Sequence, residues 1–582
     1  MRYLITYSTD LIRQEHADEW RVDAVLMSDS LKNDLSQLPK DEGDIVFFIP
    51  TILDIYNSLS YQGANLALRI LMYYLREGNF KVDIVLMGNE NETNFLLNYD
   101  YPNILKIPGI YYVRFNKHMV ANFTLSSRTK INPKEYKNYL DLIGLKMPSS
   151  FNSTHSLTNE WCLYKWNSFM GFEGGTSSLN GLLYFEYLIT IEKLNKNNDK
   201  KLTEGLKEKI TNLPEGTRIL IIDDNEGWHR FFYNFFREAH SVAVRYIGKD
   251  FYKLQYEDIE KSIRDEVDKF NPQIIILDFR LMEDKDTDVG RDMKNVSGYR
   301  ILSKVLKGNY RDPQSSFGRQ VLIFTATSRI ENILMLKAGN ADGFILKEKP
   351  ENYNGKEITK DVISHMVTDI QKGLERANFL IPLNDKLENL INLVVPATDL
   401  AVYIISVSQA IRQLTQNNKL DIDILKLLYL NIFNIFEELK RDSNFVDYTN
   451  QFTLVVKGRN ILTISGKSKC AMYSKSDDDW NYKRGYTPSN RHEKFCKDQS
   501  LNFAICALVL FRLGYEEVDD TDWNIIRLIR NTIAHGNSVK LNEKGLTLSV
   551  ELLQDYIIKM LNLLILLIDP RNINEITPQL SN

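Results

Sequence analysis

At 582 residues the chain exceeds what one hydrophobic core serves, and about 150 residues per domain gives three or four domains. A hydrophobic content of 43% and a charged content of 25% are those of an ordinary globular protein, and a net charge of −4 offers nucleic acid no global basic field. The four cysteines, Cys162, Cys470, Cys496 and Cys506, have no CxxC or metal spacing and imply a reducing, cytoplasmic setting, while no run reaches the about 18 apolar residues of a membrane span.

Residues 1–125 read as alternating strands and helices. RYLITYS, DIVFFIP (44–50), KVDIVLMG (81–88) and GIYYVRF (109–115) are strand-like, with a helix through GANLALRILMYYLRE (63–77). Continuous apolar strands separated by helical stretches indicate a parallel α/β sheet. The opening MRYLITYSTD alternates like a strand and lacks the basic stretch and apolar core of a signal peptide.

Residues 126–215 form a helical segment and a linker. STHSLTNEWCLYKWNSFMG (152–170) is amphipathic, with Ser153 or Thr154 as cap and Trp161 and Trp166 as core residues. His155 stands at the start of that stretch, where a phosphorelay donor would present an imidazole and where a capped helix start is the plainer reading. NKNNDKKLTEGLKEK (195–209) is polar and lysine-rich and reads as a solvated connector.

Four strings then follow in one order: ILIIDDN (219–225), IIILDFR (274–280), VLIFTATS (321–328) and DGFILKE (342–348). Each is an apolar run of strand length that stops on a polar residue: Asp223 and Asp224, Asp278, Thr325, Lys347. Strand C-termini of an open parallel sheet share one edge, where ligands gather. Three carboxylates without Cys or His suit Mg²⁺, and a carboxylate beside that ion can take up a phosphoryl group as an acyl phosphate. A lysine neutralises charge on the transferring oxygens, and a threonine hydroxyl hydrogen-bonds to the product.

Residues 216–375 resemble the receiver domain of two-component response regulators. The matching positions are the acidic pair Asp223/Asp224, the acceptor Asp278, the Thr325-Ala326 step, the switch aromatic Phe344 within AGNADGF (338–344), and Lys347. The resemblance implies a doubly wound five-stranded parallel sheet and Mg²⁺ held by Asp223, Asp224, Asp278 and the backbone carbonyl of Arg280. It also implies a histidine kinase or phosphotransfer protein as partner. Two departures stand out: the acceptor loop LMEDKDTDVGRDMKNVSG (281–298) is longer than the family's, and Lys347 is followed by Glu348-Lys349-Pro350 instead of directly by Pro. The N-terminal domain looks like a second receiver without its chemistry, since DIVFFIP ends on Pro50 where an acceptor would stand; a Rossmann-like domain is the alternative.

Residues 376–582 carry helical periodicity. DVISHMVTDIQKGLERANFL (361–380) completes the receiver and runs on, followed by LNDKLENLINLV, ATDLAVYIISVSQAIRQLTQ and ILKLLYLNIFNIFEELKR. FTLVVKG (452–458) and NILTISG (460–466) read as a hairpin, then comes a polar segment (474–494), then three further helices. The result is a helical bundle with a hairpin insertion.

The helix ending RNTIAHG (530–536) places Asn531 and His535 at i, i+4 on one face, with Arg530 about 140° from His535 and able to swing back. Arg and His without carboxylates can serve metal-free RNA cleavage, through proton transfer at the 2′-hydroxyl or the leaving 5′-oxygen and charge stabilisation on phosphorus. The stretch is similar to the HEPN superfamily, whose R-x(4–6)-H motif forms a ribonuclease site at a dimer interface. The resemblance gives Arg530, Asn531 and His535 the catalytic roles and implies a homodimer. A favourable helix C-terminus is the other reading of His535-Gly536. Lys457, Arg459, Lys467, Lys469, Lys483, Arg484 and Arg491, interleaved with Tyr473, Trp480, Tyr482 and Tyr486, either contact single-stranded RNA or form a solvated loop.

The sequence therefore leads to a cytoplasmic response regulator with a HEPN-like output, a metal-independent endoribonuclease of stress or phage defence by family analogy. The alternative is a phosphorylation-controlled scaffold or dimerisation protein with a non-catalytic bundle. No membrane association is expected.

Overall fold

In a computed structural model of the chain, the described residues are 1–7, 17–40, 43–53, 60–124, 132–147, 154–172, 182–194, 200–237, 242–282, 293–307, 317–326, 330–350, 356–394, 398–417, 419–442, 444–447, 452–456, 459–464, 472–476, 479–483, 522–536 and 538–569, with scattered single positions between them. They contain two five-stranded parallel sheets and many helices, the mixed α/β and helical content expected. The chain divides into two compact units: Met1–Asn212 with Gly227–Ala239 and Leu346–Val367, and Leu213–Glu226 with His240–Ile345 and Thr368–Asn582.

The first unit holds a sheet of β1 (Arg2–Thr6), β2 (Ala24–Met27), β3 (Ile45–Pro50), β4 (Val82–Gly88) and β5 (Ile110–Arg114) in the order β2-β1-β3-β4-β5. β2 is the strand that patterning did not single out: its four residues are half-buried and pair with β1 from Tyr3↔Ala24 to Thr6↔Met27. Alternate residues feed two cores. Tyr3, Ile5, Phe47, Ile49, Ile84 and Leu86 pack with the helix Gln62–Arg76, and Leu4, Val46, Phe48, Val85 and Met87 pack with Ala17 and Val120. Both faces are thus covered, which is why the strands lack polar alternation.

Thr154–Met170 and Leu183–Leu194 are helices in the segment expected to be helical, and Trp161 and Trp166 are buried as expected, but the first helix is not amphipathic, since its apolar residues are spread around it. The polar 195–209 stretch is not all connector. Lys200–Thr211 is a helix, because Leu206 and Ile210, spaced i, i+4, are buried and give it an apolar stripe.

The second unit holds β6 (Thr217–Ile222), β7 (Val242–Ile247), β8 (Ile274–Asp278), β9 (Gln320–Thr325) and most of β10 (Gly343–Leu346), in the order β10-β9-β8-β6-β7. Numbered from the first strand, that is 2-1-3-4-5, the same order as the first sheet. Leu220, Ile222, Ile275, Leu277, Val321 and Ile323 pack against Ile259, Ile263 and Val267 of the helix Tyr256–Phe270, whose apolar residues recur at helical spacing.

The 361–380 stretch does run on: Lys356–Leu393 is one continuous helix with Pro382 inside it. Proline removes one backbone hydrogen bond, but Phe379, Leu380, Leu383, Leu387 and Leu390 are all buried, and packing on both sides of Pro382 outweighs that loss. Earlier in the same helix Gly373 leaves room for Ile274, since a Cβ there would lie 2.8 Å from the Ile274 Cδ1. The remaining core joins this helix to Asp399–Asn417, Ile422–Arg441, Trp523–His535 and Val550–Ile568. Strands Phe452–Val456 and Arg459–Ile464 form the expected hairpin, joined by Val446–Asp447. The polar segment adds a second one, Met472–Ser476 with Asp479–Lys483, whose cross-strand pairs include Tyr473↔Tyr482.

Candidate functional site

The C-terminal edge of the second sheet collects carboxylates. Asp223 directly follows β6, Asp278 ends β8, and oxygens of Asp223, Asp224 and Asp278 lie within 4.8 Å of one another. Asp223 and Asp278 are each 1% exposed, whereas Asp224 is half-buried. These three carboxylates could hold a metal ion, and an all-oxygen donor set without His or Cys suits Mg²⁺. The residues present fit that ion.

Backbone contacts fix the carboxylates. Asp223 Oδ1 accepts from the Asn225 N–H at 2.8 Å, and the Asp223 N–H donates to the Ile247 carbonyl at 3.2 Å. Gly248, at φ +138°, lies against the Asp223 carbonyl so closely that a Cβ would sit 2.0 Å from that oxygen. Asp278 Oδ2 accepts from the Arg280 N–H at 3.2 Å, so the turn carrying the Arg280 carbonyl folds back on that carboxylate. Burial first, and then the charges of Asp223, Asp224 and Glu226, push the Tyr246 phenol above its usual range and keep it protonated.

The long loop after β8 is tied at its base by a residue that patterning did not reveal. Asp286 accepts from the Met282 N–H at 3.3 Å, from the Ser297 N–H at 2.9 Å and from the Ser297 hydroxyl, while the Leu281 N–H donates to that hydroxyl at 2.8 Å. Burial raises the Asp286 carboxyl above the ordinary carboxylate range, and its hydrogen bonds oppose the rise. Gly298 lets the following helix approach the carbonyls of Asp278 and Phe279, since a Cβ would meet them at 2.5 and 2.4 Å. Residues 283–285 and 287–292 of the loop lie outside the described residues.

Thr325 ends β9 one residue beyond the Asp278↔Phe324 pair, on the same edge, and is 1% exposed. Phe344, in β10, is half-buried against the core of the sheet. Lys347 immediately follows β10 and belongs to the first unit, where it is 3% exposed and its ammonium lies 5.4 Å from the centroid of the Trp228 ring.

The corresponding edge of the first sheet is filled by the protein itself. Pro50 ends β3, and Gly63 presses on it so tightly that a Cβ would lie 1.6 Å from the Pro50 carbonyl oxygen. Tyr61 donates to Glu90 Oε1 at 2.9 Å and Tyr112 to the Glu90 carbonyl at 3.0 Å; burial and Glu90 push the Tyr112 phenol up to about 12. Among the described residues this edge has no acidic cluster resembling the first.

In the helical part of the second unit, Trp523–His535 ends at Gly536, which adopts φ +70°. Arg530 does swing back: its Nη1 donates to Asn531 Oδ1 at 3.1 Å and lies 3.3 Å from His535 Nε2. The guanidinium also sits 5.6 Å from the Phe433 ring centroid, a support that only the fold reveals. His535 is exposed, and Arg530 and Asn531 are half-buried. The guanidinium, amide and imidazole therefore meet at one accessible helix end.

His155 lies in its helix with its side chain outside the described residues. So do Lys457, Lys467, Lys469, Arg484, Tyr486 and Arg491, and the side chains of Arg459, Tyr473, Trp480, Tyr482 and Lys483. No helix among the described residues is long and apolar enough to cross a membrane. No protein-family model, curated protein or solved structure matches the chain.

Proposed function

We propose that the chain is a phosphorelay response regulator that accepts a phosphoryl group on Asp278 and controls a C-terminal HEPN-like ribonuclease. The observation that carries this reading is the convergence of Asp223, Asp224 and Asp278 at the C-terminal edge of a sheet ordered 2-1-3-4-5. Asp223, Asp224, Asp278 and the Arg280 carbonyl would hold Mg²⁺, which supplies charge neutralisation on the phosphoryl oxygens.

An Asp278 carboxylate oxygen attacks the phosphorus of a phosphohistidine or a small acyl phosphate. The new P–O bond forms as the bond to the donor breaks, and the electron pair departs with the imidazole or the carboxylate. Thr325 hydrogen-bonds to the product phosphoryl group, Lys347 neutralises its charge, and Phe344 follows as the switch aromatic.

At the output, His535 exchanges a proton with the 2′-hydroxyl or the leaving 5′-oxygen of RNA, and Arg530, held by Asn531, stabilises charge on the phosphorus. The geometry supporting this half is the 3.3 Å approach of Arg530 to His535. A dimer in the cytoplasm, with a histidine kinase or phosphotransfer protein upstream, completes the reading.

The test is incubation of the purified chain with RNA, with and without acetyl phosphate and Mg²⁺, beside His535→Ala. Cleavage that changes with the phosphodonor and vanishes in His535→Ala is expected. Cleavage untouched by His535→Ala, or none under any condition, removes the ribonuclease and leaves the phosphorylation-controlled scaffold.

A further inference from the structure

A guanidinium carries N–H donors and no acceptor, whereas a neutral imidazole has one nitrogen of each kind. An imidazole nitrogen that meets an arginine must therefore be the bare one. In the helix Trp523–His535 that nitrogen is Nε2: Arg530 Nη1 lies 3.3 Å from His535 Nε2 and 3.1 Å from Asn531 Oδ1. Nη1 has two hydrogens and here meets two acceptors, the amide oxygen and the imidazole lone pair.

The guanidinium is seated on a buried aromatic group. Phe433, 2% exposed, stands 5.6 Å from it and stacks on Trp523 at 5.9 Å with planes 10° apart, and Phe436 closes on Trp523 at 5.1 Å. Arg530, Asn531 and His535 share one helix, so their spacing is set by the helix itself. His535 is exposed, and solvent can serve a proton on Nδ1. An imidazole free in water prefers its proton on Nε2; a donor held against Nε2 reverses that preference.

We infer that Arg530 holds His535 as the tautomer protonated on Nδ1 and bare on Nε2, which makes His535 the general base of RNA cleavage and not the general acid. The inference rests on the ribonuclease reading and chooses between its two proton transfers. A phosphodiester offers the guanidinium an anion in place of a neutral nitrogen, the stronger partner, and Arg530 moving to it frees Nε2. Nε2 then takes the proton of the 2′-hydroxyl as the 2′-oxygen bonds to phosphorus. The bond from phosphorus to the 5′-oxygen breaks, the leaving oxygen carries off the electron pair and takes a proton from water, and the imidazolium returns its own to solvent. The products are a 2′,3′-cyclic phosphate and a 5′-hydroxyl.

Two measurements on the full chain test this. NMR of ring-labelled histidine in otherwise deuterated protein, with the His535 signals assigned through His535→Ala, reads the tautomer at about pH 8.5, where an ordinary imidazole is neutral. Wild type should carry the proton on Nδ1, and Arg530→Met should shift it to Nε2. A wild-type His535 protonated on Nε2, or a proton that stays on Nδ1 in Arg530→Met, overturns the inference whether or not the chain cleaves RNA. The second measurement uses RNA with sulfur in place of the leaving 5′-oxygen at a linkage the chain cuts, a leaving group that needs no acid. The loss in His535→Ala should persist on this RNA at about a hundred- to ten-thousandfold, the worth of one general base. A loss that disappears with the sulfur makes His535 the acid and overturns the inference while leaving the ribonuclease reading intact. If neither native nor sulfur-substituted RNA is cut, the ribonuclease reading fails and the base role with it, while the tautomer stays legible by NMR.

Discussion

Relief of charge crowding is the sharpest consequence of the acidic site. Carboxylate oxygens within 4.8 Å of one another repel by about 3.5 kcal/mol per pair at an effective dielectric of about 20. Removing the Asp224 charge deletes two such terms, a gross relief of about 7 kcal/mol. Asp224 is half-buried, so solvent and salt screen much of this, and a net gain of roughly 1–3 kcal/mol is expected for Asp224→Asn in EDTA. Magnesium should reverse the comparison. At about a hundredfold excess over its dissociation constant a ligand stabilises the folded state by about 2.7 kcal/mol, and the wild type should gain more of this than the variant. The assay is the unfolding midpoint of the full chain by calorimetry, with EDTA and with Mg²⁺. An Asp224→Asn variant less stable than wild type in EDTA, together with a midpoint indifferent to Mg²⁺, would refute the reasoning and make the carboxylate a structural cap.

Three further outcomes follow from named contacts. Gly248→Ala drives a Cβ to 2.0 Å from the Asp223 carbonyl oxygen at a φ of +138°, so calorimetry should register a loss of about 2–4 kcal/mol and a diminished Mg²⁺ shift. Asp286 has a folded-state pKa above the unfolded 3.8, so the folded state binds more protons in the window between the two values. Its contribution to stability is therefore lost as pH rises through that window and regained on acidification, a slope that denaturation across pH should find in wild type and miss in Asp286→Asn. Lys165 and Glu192 form an ion pair at 3.1 Å with side chains 1% and 3% exposed, so Lys165→Met should cost about 3–5 kcal/mol by stranding the carboxylate, and adding Glu192→Leu should restore most of it; equal losses in the single and double variants would contradict the pairing.

What was legible in the sequence was local. Each of Asp223, Asp278 and Thr325 stops an apolar run of strand length, and a polar residue at a strand end carries its position with it. The RNTIAHG helix was readable for the same reason, since i, i+4 spacing fixes a face. The partners of Lys347 and Arg530 were not readable, because these contacts join residues far apart in the chain. Trp228 meets Lys347, and Phe433 lies under Arg530, and neither aromatic differs in its own neighbourhood from a core residue. Asp286 looked like one more acid in a charged loop until Ser297 closed on it. β2 escaped notice because it is four residues long with no fully buried position, and the Lys200–Thr211 helix because lysines surround its buried Leu206 and Ile210. The helix runs unbroken through Pro382 because a propensity acts on one residue, whereas the five buried side chains around it act together.

Mass spectrometry of the intact chain after incubation with acetyl phosphate and Mg²⁺ tests the central claim most directly. A single acid-stable, base-labile phosphoryl group in wild type, absent from Asp278→Asn and from EDTA-treated protein, is the predicted result. An unmodified wild type with Mg²⁺ present, or a phosphoryl group that Asp278→Asn retains, would contradict it.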